Sequence, residues 1–333
     1  MADKIRYGVL STAQIGRKAL IPGAKKTANA EVVAISSRDK AKAEEYAKEL
    51  EIPRAYGSYE EVLADPDVDA AIIPLPNALH CEWVLKAAEA GKHILCEKPL
   101  AVTVDEAQRM IDAAKANNVL LMEAFMYRFH PQHNFVKEKI ASGVIGDVKI
   151  ARAEFSYFLG DWETNIRASG PMHGGGLMDV GCYAVNALRF LMGDEPVSVQ
   201  AAQRFDKAHG VDGMFVAIMK FPGDRMGILC SGMEEFGRNR YEIVGTQGII
   251  DVPKAFTGGS KGATVTVISG KDTSTEPFDD LNQYQAEIEH FSDCILNGTQ
   301  PMLTPEDAKK NTAAIVALKQ AAREERAVAV EGG

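Results

Sequence analysis

The sequence has no pair of cysteines at metal-binding or redox spacing: Cys81, Cys96, Cys182, Cys230 and Cys294 are odd in number and widely scattered. That pattern argues against a structural zinc site or a disulfide framework and fits a reducing cytoplasm. No apolar run approaches the roughly 20 residues that cross a bilayer. Nor does Met1-Ala2-Asp3-Lys4, which leads straight into the apolar Ile5 to Leu10, present the basic stretch and long apolar segment of an export leader. Positive charge is short as well. Lys and Arg total 37 against 46 Asp and Glu, a balance of −9 that repels nucleic-acid backbones and anionic membranes, so neither is an expected partner.

What is present is globular composition, 46% hydrophobic and 25% charged over 333 residues, at a length that favours two domains. From Ile5 to about Ala124, short β-rich runs (Ile5 to Leu10, Val32 to Ser36, Ala70 to Ile73, His93 to Cys96, Leu120 to Glu123) alternate with helical stretches. Those stretches are Arg38 to Leu50, His80 to Ala90 and Val104 to Asn117, the last behind a capping box at Thr103 and Glu106. Alternation of this kind predicts βαβ crossovers and a parallel sheet, a Rossmann-type α/β domain over residues 1–124.

Past Phe125 the runs Asp147 to Phe158, Val197 to Phe205, Met214 to Phe221, Arg225 to Met233, Arg240 to Val244 and Ala263 to Ser269 leave no room for crossover helices. They predict an α+β domain over 125–333 with a large, mostly antiparallel open sheet. Its helices are expected at Pro131 to Ser142, Asp179 to Met192, Leu281 to Leu296 and after Thr304, which is placed to cap the last. Phe256 to Gly262 reads as a loop and Glu331-Gly-Gly as a frayed end.

The first strand runs into Ser11-Thr12-Ala13-Gln14-Ile15-Gly16, where Ser11, Ala13 and Gly16 take the three positions of the dinucleotide-binding glycine pattern. Small residues there permit a tight turn and close approach of backbone amides to a pyrophosphate. The second strand ends in Ser36-Ser37-Arg38, without the acidic residue that would accept an NAD ribose hydroxyl. Hydroxyls and a guanidinium suit a 2′-phosphate, so NADP is expected over NAD. The other reading makes Ser37 or Asp39 a helix cap and Arg38 a solvated charge. The third and fourth strands exit through Pro74-Leu75-Pro76-Asn77-Ala78-Leu79-His80 and Glu97-Lys98-Pro99, at sheet ends where such folds bind ligands. Pro74, Leu75, Asn77, His80, Glu97 and Lys98 therefore join Ser11, Thr12, Ala13, Gln14, Ile15, Ser37 and Arg38 as candidate cofactor residues. Pro99 keeps Lys98 out of helical geometry.

At these motifs the chain resembles the glucose-fructose oxidoreductase, inositol dehydrogenase and MocA family of nicotinamide-dependent sugar and polyol oxidoreductases. The resemblance spans essentially the whole chain and rests on Ser11-x-Ala13-x-x-Gly16, Pro76-Asn77-x-x-His80, Glu97-Lys98-Pro99, Glu123-Ala-Phe-Met-Tyr-Arg-Phe-His-Pro131 and Gly174-Gly-Gly-Leu-Met-Asp-Val-Gly-Cys-Tyr183. It implies a cis peptide before Pro99. A tyrosine at 183, where inositol dehydrogenases carry histidine, resembles the branch of dihydrodiol and D-xylose dehydrogenases, glucose-fructose oxidoreductase and nucleotide-sugar 3-ketoreductases. Without the export signal and arm of the periplasmic glucose-fructose enzyme, the resemblance implies a cytoplasmic enzyme that exchanges its cofactor freely.

Asp179 and Tyr183, four apart near a helix start, are expected to share one face. Alcohol oxidation needs a base for the hydroxyl proton while hydride leaves carbon, and reduction needs the same group as an acid. Bringing a tyrosine from its ordinary pKa of about 10 to neutrality takes roughly 4 kcal/mol of differential interaction, which a nearby cation supplies in part. Tyr183 is accordingly expected to transfer the proton, Lys98 to favour the phenolate and orient the substrate oxygen, and Asp179 to bind a sugar hydroxyl. Exchange of roles between Lys98 and Tyr183 stays open. Arg128 would meet the nicotinamide or substrate, or else form a structural ion pair. Trp162 and Arg167 would line the sugar pocket or belong to a plain surface loop. His130 and His133 straddle a loop-to-helix entry without a zinc motif, so no metal is expected.

The expected function is NADP-dependent hydride transfer at a sugar hydroxyl or hemiacetal carbon, with an aldose such as D-xylose as the nearest substrate class. The alternatives are a trans-dihydrodiol dehydrogenase, a nucleotide-sugar 3-ketoreductase and a non-catalytic NAD(P)-binding regulator. Apolar Met214, Val216, Ile218, Ile228 and Cys230 alternate along their strands, exceeding what one helix layer covers, and this predicts a homodimer through the second sheet.

Overall fold

The computed structural model describes residues 4–257 and 262–331, so most of the expected loop tip at 256–262 and the expected frayed 332–333 lie outside the described residues. The chain forms two compact units, one of residues 1–126 with 282–309 and one of 127–281 with 310–333. The sequence division at 124 thus misses one segment. Residues 282–309, assigned by sequence to the second half, cluster with the first.

In the first unit β1 (Ile5–Leu10), β2 (Ala30–Ser36), β3 (Arg54–Tyr56), β4 (Ala70–Ile73), β5 (His93–Glu97) and β6 (Leu121–Ala124) form one sheet in the order β3-β2-β1-β4-β5-β6. Every pairing is parallel. The helices are α1 (Ile21–Ala24), entered through a π-helical turn over Gly16–Leu20, α2 (Lys40–Glu49), α3 (Tyr59–Ala64), α4 (His80–Glu89) and α5 (Val104–Ala116). Successive strand residues face opposite sides. On β1 the Tyr7 hydroxyl meets Ser292 Oγ at 2.8 Å on a helix of the 282–309 segment, whereas Gly8 backs onto α3, where a Cβ would stand 2.4 Å from Val62 Cγ1. Both faces are therefore covered. Strand order reverses between β1 and β4, so the crevice at their carboxyl ends is where an open α/β sheet takes a ligand.

The second unit contains α6 (Pro131–Ala141), β7 (Val148–Phe158), α7 (Cys182–Met192), β8 (Ser198–Asp206), β9 (Val211–Phe221), β10 (Arg225–Gly232), β11 (Glu234–Gly245), β12 (Gly248–Val252), β13 (Ala263–Ser269), β14 (Asp272–Phe278) and β15 (Val328–Ala329). Its sheet runs β14-β13-β12-β11-β7-β10-β9-β8-β15 and is antiparallel except where β10 lies parallel to β7. On β9, Phe215, Ala217, Met219 and Phe221 are buried, while Met214, Val216 and Ile218 are 39%, 50% and 41% exposed. One sheet face is core. The other presents apolar side chains to solvent. The chain also has α8 (Gln283–Asn297), which lies in the first unit, and α9 (Pro305–Glu324), whose start is capped by Thr304 Oγ1 accepting from the Asp307 amide at 3.2 Å.

Candidate active site

The loop after β1 keeps the shape of a glycine turn without its first glycine. Ser11 adopts φ +149°, a conformation that favours glycine. Its hydroxyl compensates by accepting from the Ala13 amide at 3.1 Å and donating to the Pro74 carbonyl at 3.4 Å, joining the β1 and β4 exits. Thr12, Ala13 and Ile15 are partly exposed, and Gln14 is exposed with its amide reaching the Tyr46 hydroxyl at 3.3 Å.

At the end of β2, Asp39 is the residue that caps α2, accepting from the Ala41 and Lys42 amides at 3.1 and 3.4 Å. Ser37 Oγ accepts from the Asp39 amide at 3.2 Å, and exposed Arg38 reaches the Tyr59 hydroxyl. The nearest carboxylate is spent on the helix and the guanidinium faces solvent, a donor set that fits a 2′-phosphate.

The Lys98–Pro99 peptide is cis, as the resemblance implies. His80 is fully buried, its Nε2 2.8 Å from the Leu75 carbonyl and its Nδ1 2.9 Å from the Pro99 carbonyl. Burial pushes this imidazole below its ordinary pKa, against the pull of the carbonyls toward the charged form. The expected cofactor contact at His80 is therefore corrected. A ring with no accessible surface, lodged between the Leu75 and Pro99 carbonyls, ties the β4 exit to the Lys98 loop instead. Glu123, also buried, completes the hold by accepting from the Leu100 amide at 2.7 Å through Oε1. Pro74 and Leu75 are buried, whereas Asn77, Glu97 and Lys98 keep accessible surface.

In the second unit, Asp179 sits in a π-helical turn, Leu177–Gly181, and Tyr183 in the first turn of α7. The single α-helix expected from Asp179 is thus widened at its start. Asp179 Oδ2 accepts from the Tyr157 hydroxyl at 2.6 Å and from Arg167 Nε at 3.1 Å. Burial, reinforced by the adjacent carboxylate, pushes the Tyr157 phenol far up, so it stays a donor. Tyr183 packs among Phe155, Tyr127 and Phe256 at ring separations of 5.3, 5.8 and 5.9 Å. Trp162 meets the His209 ring edge-on at 5.5 Å.

Arg128 stacks on Phe190, 3.8 Å from the ring centroid, and donates to Asn186 Oδ1 at 3.3 Å. The ion pair considered for it is replaced by a cation–π contact and a neutral amide. His133 is buried with Nδ1 2.7 Å from the Tyr241 hydroxyl. Tyr157 and Asp212, which accepts from the Leu177 amide at 2.7 Å, escape a reading by motif, and Glu123 stands in a quoted motif without its structural role being read. Tyr157 and Asp212 lie 22 and 35 residues from their partners, on strands whose alternation alone gives no reason to single them out.

An oxidoreductase family model with a NAD-binding Rossmann fold matches residues 5–125, and the corresponding GFO/IDH/MocA C-terminal domain matches 133–251. D-xylose 1-dehydrogenase (NADP(+)) 2 of Haloferax volcanii is 37% identical over 98% of this chain and 99% of its own. The trans-1,2-dihydrobenzene-1,2-diol dehydrogenase of Xenopus laevis is 34% identical over 91% and 94%. Among solved structures, a 3-ketoreductase from Actinomadura kijaniata in complex with NADP and TDP-benzene superposes with a TM-score of 0.91 at 29% identity, covering 96% of this chain and 98% of that one. With both domains matched and relatives aligned almost end to end, the chain belongs to the GFO/IDH/MocA family of oxidoreductases.

Proposed function

We propose that the protein is an NADP-dependent oxidoreductase acting on a sugar hydroxyl or hemiacetal carbon, with an aldose of the D-xylose kind as substrate. The observation that carries the cofactor half is the end of β2, where Ser36-Ser37-Arg38 offers hydroxyls and an exposed guanidinium in place of an acidic residue, and the NADP-dependent xylose dehydrogenase relative and the NADP-bound 3-ketoreductase structure support it. Ser11, Thr12, Ala13, Gln14 and Ile15 would hold the pyrophosphate, Ser37 and Arg38 the 2′-phosphate, and Pro74, Leu75, Asn77, Glu97 and Lys98 the nicotinamide side. Nicotinamide supplies or takes the hydride.

Tyr183 transfers the hydroxyl proton, and Lys98 steadies the reacting oxygen and favours the phenolate. Asp179 accepts from a second sugar hydroxyl, its carboxylate aimed by Tyr157 and Arg167. Trp162 adds an apolar wall and Arg167 a polar one. The xylose dehydrogenase relative supports the aldose reading. The dihydrodiol dehydrogenase and 3-ketoreductase relatives support the second, a diol or nucleotide-linked ketosugar at the same residues. Following nicotinamide absorbance with NADP and pentoses, hexoses, a trans-dihydrodiol, and (with NADPH) a nucleotide-linked 3-ketosugar separates them. Turnover of aldoses supports the first reading, turnover of the others alone replaces it, and cofactor binding without turnover supports a regulator.

The exposed apolar face of β9, with Met226 on β10, supports a homodimer through the open sheet. The scattered cysteines, all free, support a cytoplasmic location.

A further inference from the structure

We propose that Asp212 of β9 is a positioning residue, its carboxylate serving as the cap that seats the turn from which Asp179 and Tyr183 project. This deepens the oxidoreductase reading and rests on it for its consequence in turnover. Helix-start amides are normally satisfied by a local Ser, Thr, Asp or Asn. Here the N-cap is Gly176, which has no side chain. Asp212 comes from a strand 35 residues away instead, and its Oδ2 accepts from the Leu177 amide at 2.7 Å, with the Gly176 amide also donating. A carboxylate against the first amides of a helix is further favoured by the helix dipole.

Gly175 and Gly176 are shaped around this contact, and Gly174 around the backbone before it. Gly175 holds φ +109°, and a Cβ there would stand 2.3 Å from Asp212 Oδ1. At Gly176 a Cβ would meet Gly232 Cα at 3.0 Å and Asp212 Oδ2 at 3.3 Å, and at Gly174 it would meet the Arg167 carbonyl at 2.2 Å. The Asp179 amide in turn donates to the Gly175 carbonyl at 2.9 Å, so the turn that Asp212 holds carries Asp179 directly.

The carboxyl is only 6% exposed, and burial pushes its pKa up to about 6 in spite of the amides and Lys319. Lys319 of α9 is the cation that faces it. That ammonium is itself lowered by burial and by neighbouring Arg323. Arg204 and Glu234, paired at 2.9 Å beside Gly213, Glu235 beside Gly232, and Asp179 with its partner Arg167 are further charged groups around the turn. Below about pH 6 the carboxyl takes a proton and gives up acceptor capacity, so the turn loosens.

The test is hydrogen exchange of the peptide spanning 174–183, with steady-state kinetics, on wild type and Asp212→Leu, which keeps the size of the side chain and removes both acceptor oxygens. The proposal expects exchange in this peptide to exceed the chemical pH trend below about pH 6 in wild type, and to be fast at all pH values in the variant. It also expects turnover in the variant to fall about tenfold, losing the acid limb near pH 6 and keeping NADP affinity. Pacing of that peptide by pH chemistry alone in wild type, or unchanged exchange and turnover in the variant, overturns it. The wild-type exchange profile decides the matter even where the variant does not fold. A protein that turns over no substrate of the panel refutes the oxidoreductase reading and leaves the exchange test of the cap intact.

Discussion

The Tyr157 hydroxyl donates to Asp179 at 2.6 Å, and this bond joins strand β7 to the turn that leads into α7. A half-buried phenol whose proton is held so firmly serves as a fixed donor that orients the Asp179 carboxylate. Tyr157→Phe removes the donor and keeps the ring. A hydrogen bond to a charged group is worth about 1.5 to 3 kcal/mol, so KM for the sugar should rise about tenfold or more while the dissociation constant for NADP stays unchanged. Sugar titrations at saturating NADP read the first, and fluorescence titration reads the second.

Arg38 is expected to choose the cofactor. Arg38→Ala should weaken NADP binding about tenfold or more and leave NAD binding within about twofold, because the guanidinium has no partner in an unphosphorylated ribose. Calorimetric titration with both dinucleotides checks this. An equal loss for both would move Arg38 from selectivity to fold maintenance.

Glu287 of α8 predicts an unusual pH dependence. It is fully buried, both carboxyl oxygens lack hydrogen-bond partners among the described residues, and burial aided by Glu97 pushes its pKa well up. Its folded form keeps a proton that the unfolded chain releases near pH 4.3, so its contribution to stability falls as pH rises above that value. Glu287→Gln carries no titratable proton. Its stability relative to wild type should improve by up to about 1.4 kcal/mol per pH unit from pH 5 upward until the folded carboxyl itself ionises. Urea unfolding of both proteins between pH 5 and 8 measures the trend, and a constant difference would mean that Glu287 is ionised in the fold.

The exposed side of the second sheet is expected to be a subunit interface. Ile218→Lys places a charge among Met214, Val216 and Met226, where the apolar side chains are open to solvent in the single chain. Sedimentation should show a dimer for wild type and a monomer for the variant. A monomeric wild type would contradict the assignment.

The sequence was most legible where burial is complete. Ala70–Ile73 is a continuous apolar run and Ile5–Leu10 one interrupted only by Arg6, and both strands occupy the residues read from them. Arg54–Tyr56 and Tyr59–Ala64 are too short to show a period and went unread. Asp272–Phe278 was hidden for another reason: it is an exposed edge strand, polar on both faces and able to carry Pro277. Motif reading singled out Lys98, Asp179 and Tyr183 as candidates but not the side chains that hold their loops. Glu123, Tyr157 and Asp212 act across strands at 23, 22 and 35 residues' separation, distances at which helix and strand periodicity carry no information. His80 misled in the opposite sense. A histidine beside a ligand loop reads as a ligand contact until its burial and its two carbonyl partners are seen.

The account rests on Tyr183 and Lys98 handling the proton and the reacting oxygen. Its most direct test is single-turnover nicotinamide absorbance with Tyr183→Phe and Lys98→Met, at saturating NADP and the best aldose from the substrate panel. General acid–base groups contribute about 100- to 10,000-fold, so each variant should fold, still reach saturation with NADP, and reduce it at least about 100-fold more slowly. Hydride transfer within a few-fold of wild type in both variants would contradict the account.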